Sequence, residues 1–166
     1  KRKYLVFVGR LSEEKQPIEA LKVYALSRLW EKNINLRVFG SGNLHAEVLD
    51  FIYRNDLHNY VDVITNETDP NCIYKDAYAL LMTSRVEGFG MVLLEAISRN
   101  IPCVAYNVPY GPESILNNGE NGYLVEFGDL SGAARTLNLE DLKKMHDKDI
   151  KSTLKSFSKD AVISKW

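Results

Sequence analysis

The segment Ser84-Arg85-Val86-Glu87-Gly88-Phe89-Gly90-Met91-Val92-Leu93-Leu94-Glu95-Ala96 follows closely on an apolar run, Tyr78-Ala79-Leu80-Leu81-Met82. The length and composition of that run predict a buried strand. A turn bracketed by glycines comes next, and an apolar helix is expected from about Met91. Such a junction makes a natural anion site. The first turn of a helix leaves unpaired N–H groups, and its dipole favours negative charge. Gly88 and Gly90 keep side chains off the backbone where a phosphate or sugar would approach. Glu87 stands before the turn and Glu95 about one helical turn inside it. A carboxylate facing a phosphate would repel it. The expectation is therefore that each Glu accepts hydrogen bonds from neutral hydroxyls, of which sugars carry many.

Outward from this segment the chain repeats one rhythm. Lys3–Val8 is a continuous apolar run, as in a strand covered on both faces, and it ends at Gly9-Arg10-Leu11-Ser12-Glu13-Glu14-Lys15. Pro17 suits a helix start, and Ile18, Leu21, Ala25 and Leu29 give that helix an apolar face. Leu36–Gly40 reads as a second strand closed by Gly40-Ser41-Gly42, with a helix through Ala46, Val48, Leu49 and Ile52. Val61–Ile64 is a third strand, followed by a polar loop and a short helix near Asn71–Lys75. Ile101–Tyr106 and Gly122–Val125 complete six expected strands, and the polar tail from Ser131 reads as helical. Strands alternating with helices predict an α/β, doubly wound, Rossmann-like and mostly parallel sheet with helices on both faces. Ligands of such sheets sit outside the carboxyl ends of the strands. That rule gathers Gly9–Lys15, Gly40–Asn43, Ile64–Asp69, Ser84–Met91 and Tyr106–Glu113 along one edge.

Composition narrows the partners. A chain of 166 residues is one domain with room for a real core, and 45% hydrophobic residues is ordinary for a globular protein. A net charge of −1 gives no electrostatic case for nucleic acid or for strong membrane adsorption. Cys72 and Cys103 lack C-x-x-C spacing, and Cys103 lies in an apolar run that reads as core; a reducing compartment fits. No run reaches transmembrane length and no signal peptide precedes the first strand. Entry into a strand already at Tyr4 leads to the expectation of an excised domain.

The first loop supplies two cations, Arg10 and Lys15. A guanidinium fork and an ammonium point charge together suit a diphosphate. The alternative is that Lys15 merely solvates a helix start beside Glu13 and Glu14.

Glu87 and Glu95, written E-G-F-G-M-V-L-L-E, resemble the E-x7-E motif of retaining GT-B glycosyltransferases, and within them the large family 4 group. Two surface Glu flanking an ordinary turn are the alternative. Val8-Gly9-Arg10-Leu11 with Lys15 is similar to the family's V-G-R-L-x-x-x-K segment. Members commonly carry Gly after that Lys, where this chain has Gln16-Pro17, which puts the angle of the following helix in question. The resemblance implies that Gly9, Arg10 and Lys15 hold the donor diphosphate and that Glu95 binds the ribose hydroxyls. Glu87 would lie by the donor sugar, and Gly88, Phe89, Gly90, Met91 and Val92 would contact sugar and phosphates. Glu87, Arg10 and Lys15 are the expected catalytic residues. Gly40-Ser41-Gly42 resembles the family's glycine turn near the nucleotide, and Thr65–Glu67 occupies the position where the base is bracketed. Tyr110-Gly111-Pro112-Glu113 and Asn121–Val125 resemble the family's "G-x-x-E … N-G-x-L-V" segment, in a form similar to the Gram-positive enzymes that glycosylate teichoic acids or serine-rich surface proteins. Phe157-Ser158 and Trp166 look like its closing helix.

The resemblance further implies a C-terminal, donor-binding domain over residues 1–166, lacking the N-terminal acceptor domain that would supply any acceptor-side base and any membrane contact. The donor would be UDP-glucose or UDP-N-acetylglucosamine. The acceptor would be a cell-surface glycan, teichoic acid, lipid or glycoprotein, and the setting the cytoplasm or the inner face of the membrane. No cofactor and no metal are expected, because Arg10, Lys15 and a helix start supply the positive charge. A non-catalytic nucleotide- or sugar-binding module is the second reading, and a phosphorylase-like enzyme using free phosphate the third. Asp147-Lys148-Asp149 spells D-x-D but lies in a charged stretch and reads as a solvated face. His45, His58 and His146 show no metal-ligand spacing. Asn66-Glu67-Thr68 is a formal glycosylation sequon with no meaning inside the cytoplasm.

Overall fold

A computed structural model describes residues 2–157. Six strands form one all-parallel sheet in the order β3-β2-β1-β4-β5-β6, where β1 is Tyr4–Val8, β2 Asn35–Phe39, β3 Val61–Ile64, β4 Ala77–Met82, β5 Cys103–Tyr106 and β6 Gly122–Val125. The expected doubly wound sheet is present. The strand order reverses between β1 and β4, the place where such sheets open a ligand crevice.

Alternation along the strands divides the core in two. Leu5, Phe7, Leu36, Val38, Ala79, Leu81 and Val104 face one side, under α1 (Pro17–Ser27), α2 (His45–Arg54) and α6 (Leu130–Leu137). Val6, Phe39, Leu80, Met82, Cys103 and Ala105 face the other, under α3 (Pro70–Ile73), α4 (Met91–Ile97) and α5 (Pro112–Ile115). The chain continues through α7 (Glu140–Lys144) and two 3-10 segments, Met145–Asp147 and Ile150–Phe157. The expected closing helix falls on Phe157 and, from Ser158 to Trp166, outside the described residues.

Local chemistry moved several element boundaries. Helix α1 stops at Ser27 because Arg28 turns left-handed, so Leu29 belongs to a separate 3-10 turn, Leu29–Lys32. The buried face of α1 is built on Ala20, Leu21, Val23 and Tyr24, with Ile18 and Ala25 only half-buried. On α2, Val48 and Ile52 are buried but Leu49 is 45% exposed; its position turns it past the apolar stripe. Helix α3 starts at Pro70, not Asn71, because the Asp69 carboxylate caps the Asn71 N–H. Strand β5 starts at Cys103, two residues later than expected, since Pro102 has no N–H to donate to a ladder. Asp147, Lys148 and Asp149 are all exposed, as a solvated face requires.

Candidate functional site

The loops after β1 and β4 meet at the switch point, and several independent bonds tie them. The Arg85 N–H donates to the Glu14 carbonyl at 2.8 Å. Gln16 Nε2 donates to the Thr83 carbonyl, and Thr83 Oγ1 donates back to the Gln16 carbonyl, each at 2.8 Å. Lys15 Nζ reaches Glu87 Oε2 at 2.7 Å, and Ser84 Oγ donates to the same oxygen at 2.6 Å. Glu87 is only 8% exposed, and a carboxylate so placed is costly unless paired. At Glu87 the expected neutral hydroxyl is joined by an ammonium of the protein itself. Glu87 holds the cation expected on a diphosphate, together with one hydroxyl. The Tyr74 hydroxyl lies between two acceptors, the Val92 carbonyl at 3.2 Å and Glu95 Oε1 at 3.4 Å. Burial and the neighbouring Glu95 carboxylate push the Tyr74 hydroxyl well above its ordinary range, so it stays a donor.

Gln16 explains why glycine suits the position after Lys15. Its φ is 49°, in the left-handed region, and it directly precedes Pro17 at the first turn of α1. Its two bonds to Thr83 hold a conformation that a side chain normally avoids. The helix starts where expected despite the missing glycine.

The loop after β2 lies on the loop after β1. Leu11 N–H donates to the Ser41 carbonyl at 2.9 Å, and Leu44 N–H to the Leu11 carbonyl at 2.8 Å. A Cβ on Gly40 would stand 1.8 Å from the Gly9 carbonyl oxygen, and one on Gly42 2.6 Å from that of Leu11. Both glycines are therefore demanded by backbone packing, whatever they do for a ligand. Gly90 also has an internal reason: it caps α4 with φ 79°, and a Cβ there would press on Ile115 and Leu93. Of the glycines in these loops, Gly88 has no atom within 4 Å of where a Cβ would stand.

A cavity of about 430 Å³ opens at this edge, lined among others by Gly9, Arg10, Gly40, Thr65, Val92 and Glu95. Residues from the loops after β1, β2 and β3 and from α4 thus share one space, although they are scattered in sequence. Glu67, also on its wall, fixes the loop by accepting the Thr68 and Asp69 N–H groups, each at 3.1 Å. Arg10 continues into a neighbouring cavity of about 360 Å³ that also takes Lys15 and Asn43. Glu87, Gly88, Phe89, Gly90 and Met91 line neither space, although Met91 is 44% exposed at the start of α4. Tyr74, Ser84 and Thr83 were missed by sequence reasoning. For Ser84 a signal existed, a hydroxyl three positions before Glu87; for Tyr74 none did. Among the described residues, no group of three or more His, Cys, Asp or Glu is arranged to hold a metal. No helix among them is long and apolar enough to cross a membrane.

A family model described as "Glycosyl transferases group 1" matches residues 1–155. The chain belongs to this family. The poly(glycerol-phosphate) alpha-glucosyltransferase of Bacillus subtilis strain 168 is 32% identical over 121 residues, covering 73% of this chain and 18% of the relative. The GtfA subunit of a UDP-N-acetylglucosamine–peptide N-acetylglucosaminyltransferase from Streptococcus agalactiae is 26% identical over 173 residues, 98% of this chain and 34% of that protein. Among solved structures, a mutant of S. aureus TarM in complex with fondaparinux, alpha-GlcNAc-glycerol and UDP superposes with a TM-score of 0.86 at 21% identity, over 99% of this chain and 34% of that one. The two chains thereby share a fold. The chain spans about a third or less of the length of these relatives.

Proposed function

We propose that this chain is the C-terminal, donor-binding domain of a retaining GT-B glycosyltransferase, taking UDP-glucose or UDP-N-acetylglucosamine. The observation that carries the reading is the convergence of Gly9, Arg10, Gly40, Val92 and Glu95 on one cavity at the switch point. Glu95 would take the ribose hydroxyls, and the Thr65–Glu67 loop would bracket the base. Arg10 would hold the diphosphate where the two cavities join, with Lys15 and the first amides of α4 completing its charge balance.

Breaking the glycosyl–phosphate bond leaves an oxocarbenium-like sugar and a departing diphosphate. Fixed positive groups on that diphosphate stabilise the transition state more than the ground state. Glu87, held by Lys15 and Ser84, orients the sugar. An N-terminal domain would bring the acceptor, a teichoic acid, cell-surface glycan, lipid or glycoprotein, and any base that activates it; relatives named for poly(glycerol-phosphate) and for peptide glycosylation support a polymer or protein acceptor. The setting is proposed as the cytoplasm or the inner membrane face, with neither cofactor nor metal. This chain alone would then bind nucleotide and transfer little sugar.

Calorimetric titration with UDP, GDP and ADP tests the reading. Saturable binding of UDP, weakened by Glu95→Ala and by Lys15→Ala, is expected. Tight binding that neither substitution affects would move the site elsewhere and sink the mechanism.

A further inference from the structure

We infer that Ser84 is a positioning residue for the donor sugar: it fixes the Glu87 carboxylate so that one oxygen is committed to the protein and the other is left for the ligand. The inference rests on the reading of Glu87 as the sugar-facing group.

The two oxygens of Glu87 are treated very differently. Oε2 accepts both the Ser84 hydroxyl, at 2.6 Å, and the Lys15 ammonium, at 2.7 Å. Among the described residues Oε1 accepts no hydrogen bond, yet it is not one of the sealed side-chain atoms left without a partner. The Glu87 side chain keeps 8% of its surface exposed, and Oε1 is the oxygen that remains for a further donor. A carboxylate in this state is a one-sided acceptor, suited to a neutral hydroxyl.

The two holders of Oε2 are not equivalent. Lys15 is 29% exposed, sits on a flexible four-carbon stem, and shares a cavity with Arg10 where a diphosphate would draw it. Ser84 is buried at the end of β4, three positions before Glu87, and its short side chain has one torsion to lose. When the diphosphate competes for Lys15, the Ser84 hydroxyl is the anchor that persists. Its removal would leave Glu87 free to rotate when the sugar arrives. The effect belongs to the sugar and spares the nucleotide.

The test is calorimetric titration of the wild-type domain, Ser84→Ala and Ser84→Thr with UDP, UDP-glucose and UDP-N-acetylglucosamine. For wild type, one UDP-sugar should bind more tightly than UDP. Ser84→Ala should leave UDP affinity within about twofold and weaken that UDP-sugar by about three- to tenfold, the range of one net hydrogen bond. Ser84→Thr, which keeps the hydroxyl, should recover most of the loss. If Ser84→Ala does not fold, the near-isosteric Ser84→Cys, a weak donor, carries the same comparison. Equal losses for UDP and UDP-sugar would make Ser84 a general structural residue and overturn the inference. So would an unchanged UDP-sugar affinity. UDP binding with no gain from either sugar in wild type would overturn this inference and leave the nucleotide site standing. Absence of UDP binding in wild type would overturn both.

Discussion

Lys15 and Glu87, 72 positions apart in the chain, join the loops after β1 and β4 through a 2.7 Å ion pair across the switch point of the sheet. The pair is lopsided: the ammonium is partly solvated while the carboxylate is almost fully buried. Removing either partner should therefore have unequal effects. Lys15→Met leaves a buried carboxylate with only Ser84, and should cost roughly 1–3 kcal/mol, below the range for a fully buried pair because Lys15 is partly exposed. Glu87→Gln leaves a cation that water can reach, and should cost about 1 kcal/mol or less. Urea denaturation of the two variants checks the order; a larger loss for Glu87→Gln would contradict it.

Position 16 separates backbone strain from hydrogen bonding. Gln16→Gly relieves the left-handed conformation but loses the bond to the Thr83 carbonyl, two effects of about 1 kcal/mol each that nearly offset. Gln16→Ala loses the bond and keeps the strain. The alanine variant should thus be less stable than the glycine variant by about 1 kcal/mol, read as a difference in denaturation midpoints. Equal midpoints would mean that the strain is absorbed elsewhere.

The two cysteines should report on folding. Cys72 is exposed, and the Glu67 carboxylate, followed by partial desolvation and Asp69, raises its thiol pKa and slows its reaction. Cys103 is buried, and burial pushes its thiol far above the ordinary range. A thiol reagent near neutral pH should modify Cys72 slowly in the native protein and Cys103 only after denaturant is added. Rapid native labelling of Cys103 would count against the packing of β5.

His146 contributes a pH dependence whose sign follows from its surroundings. Its Nε2 contacts the Tyr78 carbonyl, and its ring lies edge-on to Tyr78. Burial lowers its pKa below the ordinary value near 6.5, against a smaller opposing effect of the carbonyl contact. The unfolded chain therefore takes up this proton more readily than the folded one. Stability from this group is complete above pH ~6.5 and declines as pH falls through that value toward the lower folded pKa. Thermal melts between pH 5.5 and 7.5 should show a loss at the acid end that His146→Gln reduces. An identical slope in the variant would assign the effect to other groups.

Much of this protein was legible in one dimension. Continuous apolar runs at Lys3–Val8 and Tyr78–Met82 read as strands covered on both faces, and their alternation with helices pointed to a parallel sheet. Gly9, Arg10 and Lys15 in the first loop and Glu95 on α4 were readable as candidates and do line the cavities at the switch point, whereas the E-G-F-G turn lines neither. Tertiary structure alone decided which side chains meet. Gly40 yields to a carbonyl in the β1 loop, Gln16 bends to reach Thr83, and Ser84 and Lys15 converge on a single oxygen of Glu87. Those relationships depend on distances of a few ångströms between segments far apart in sequence. Periodicity carries no such information, because it records which face a residue turns to the core and not what waits for it there.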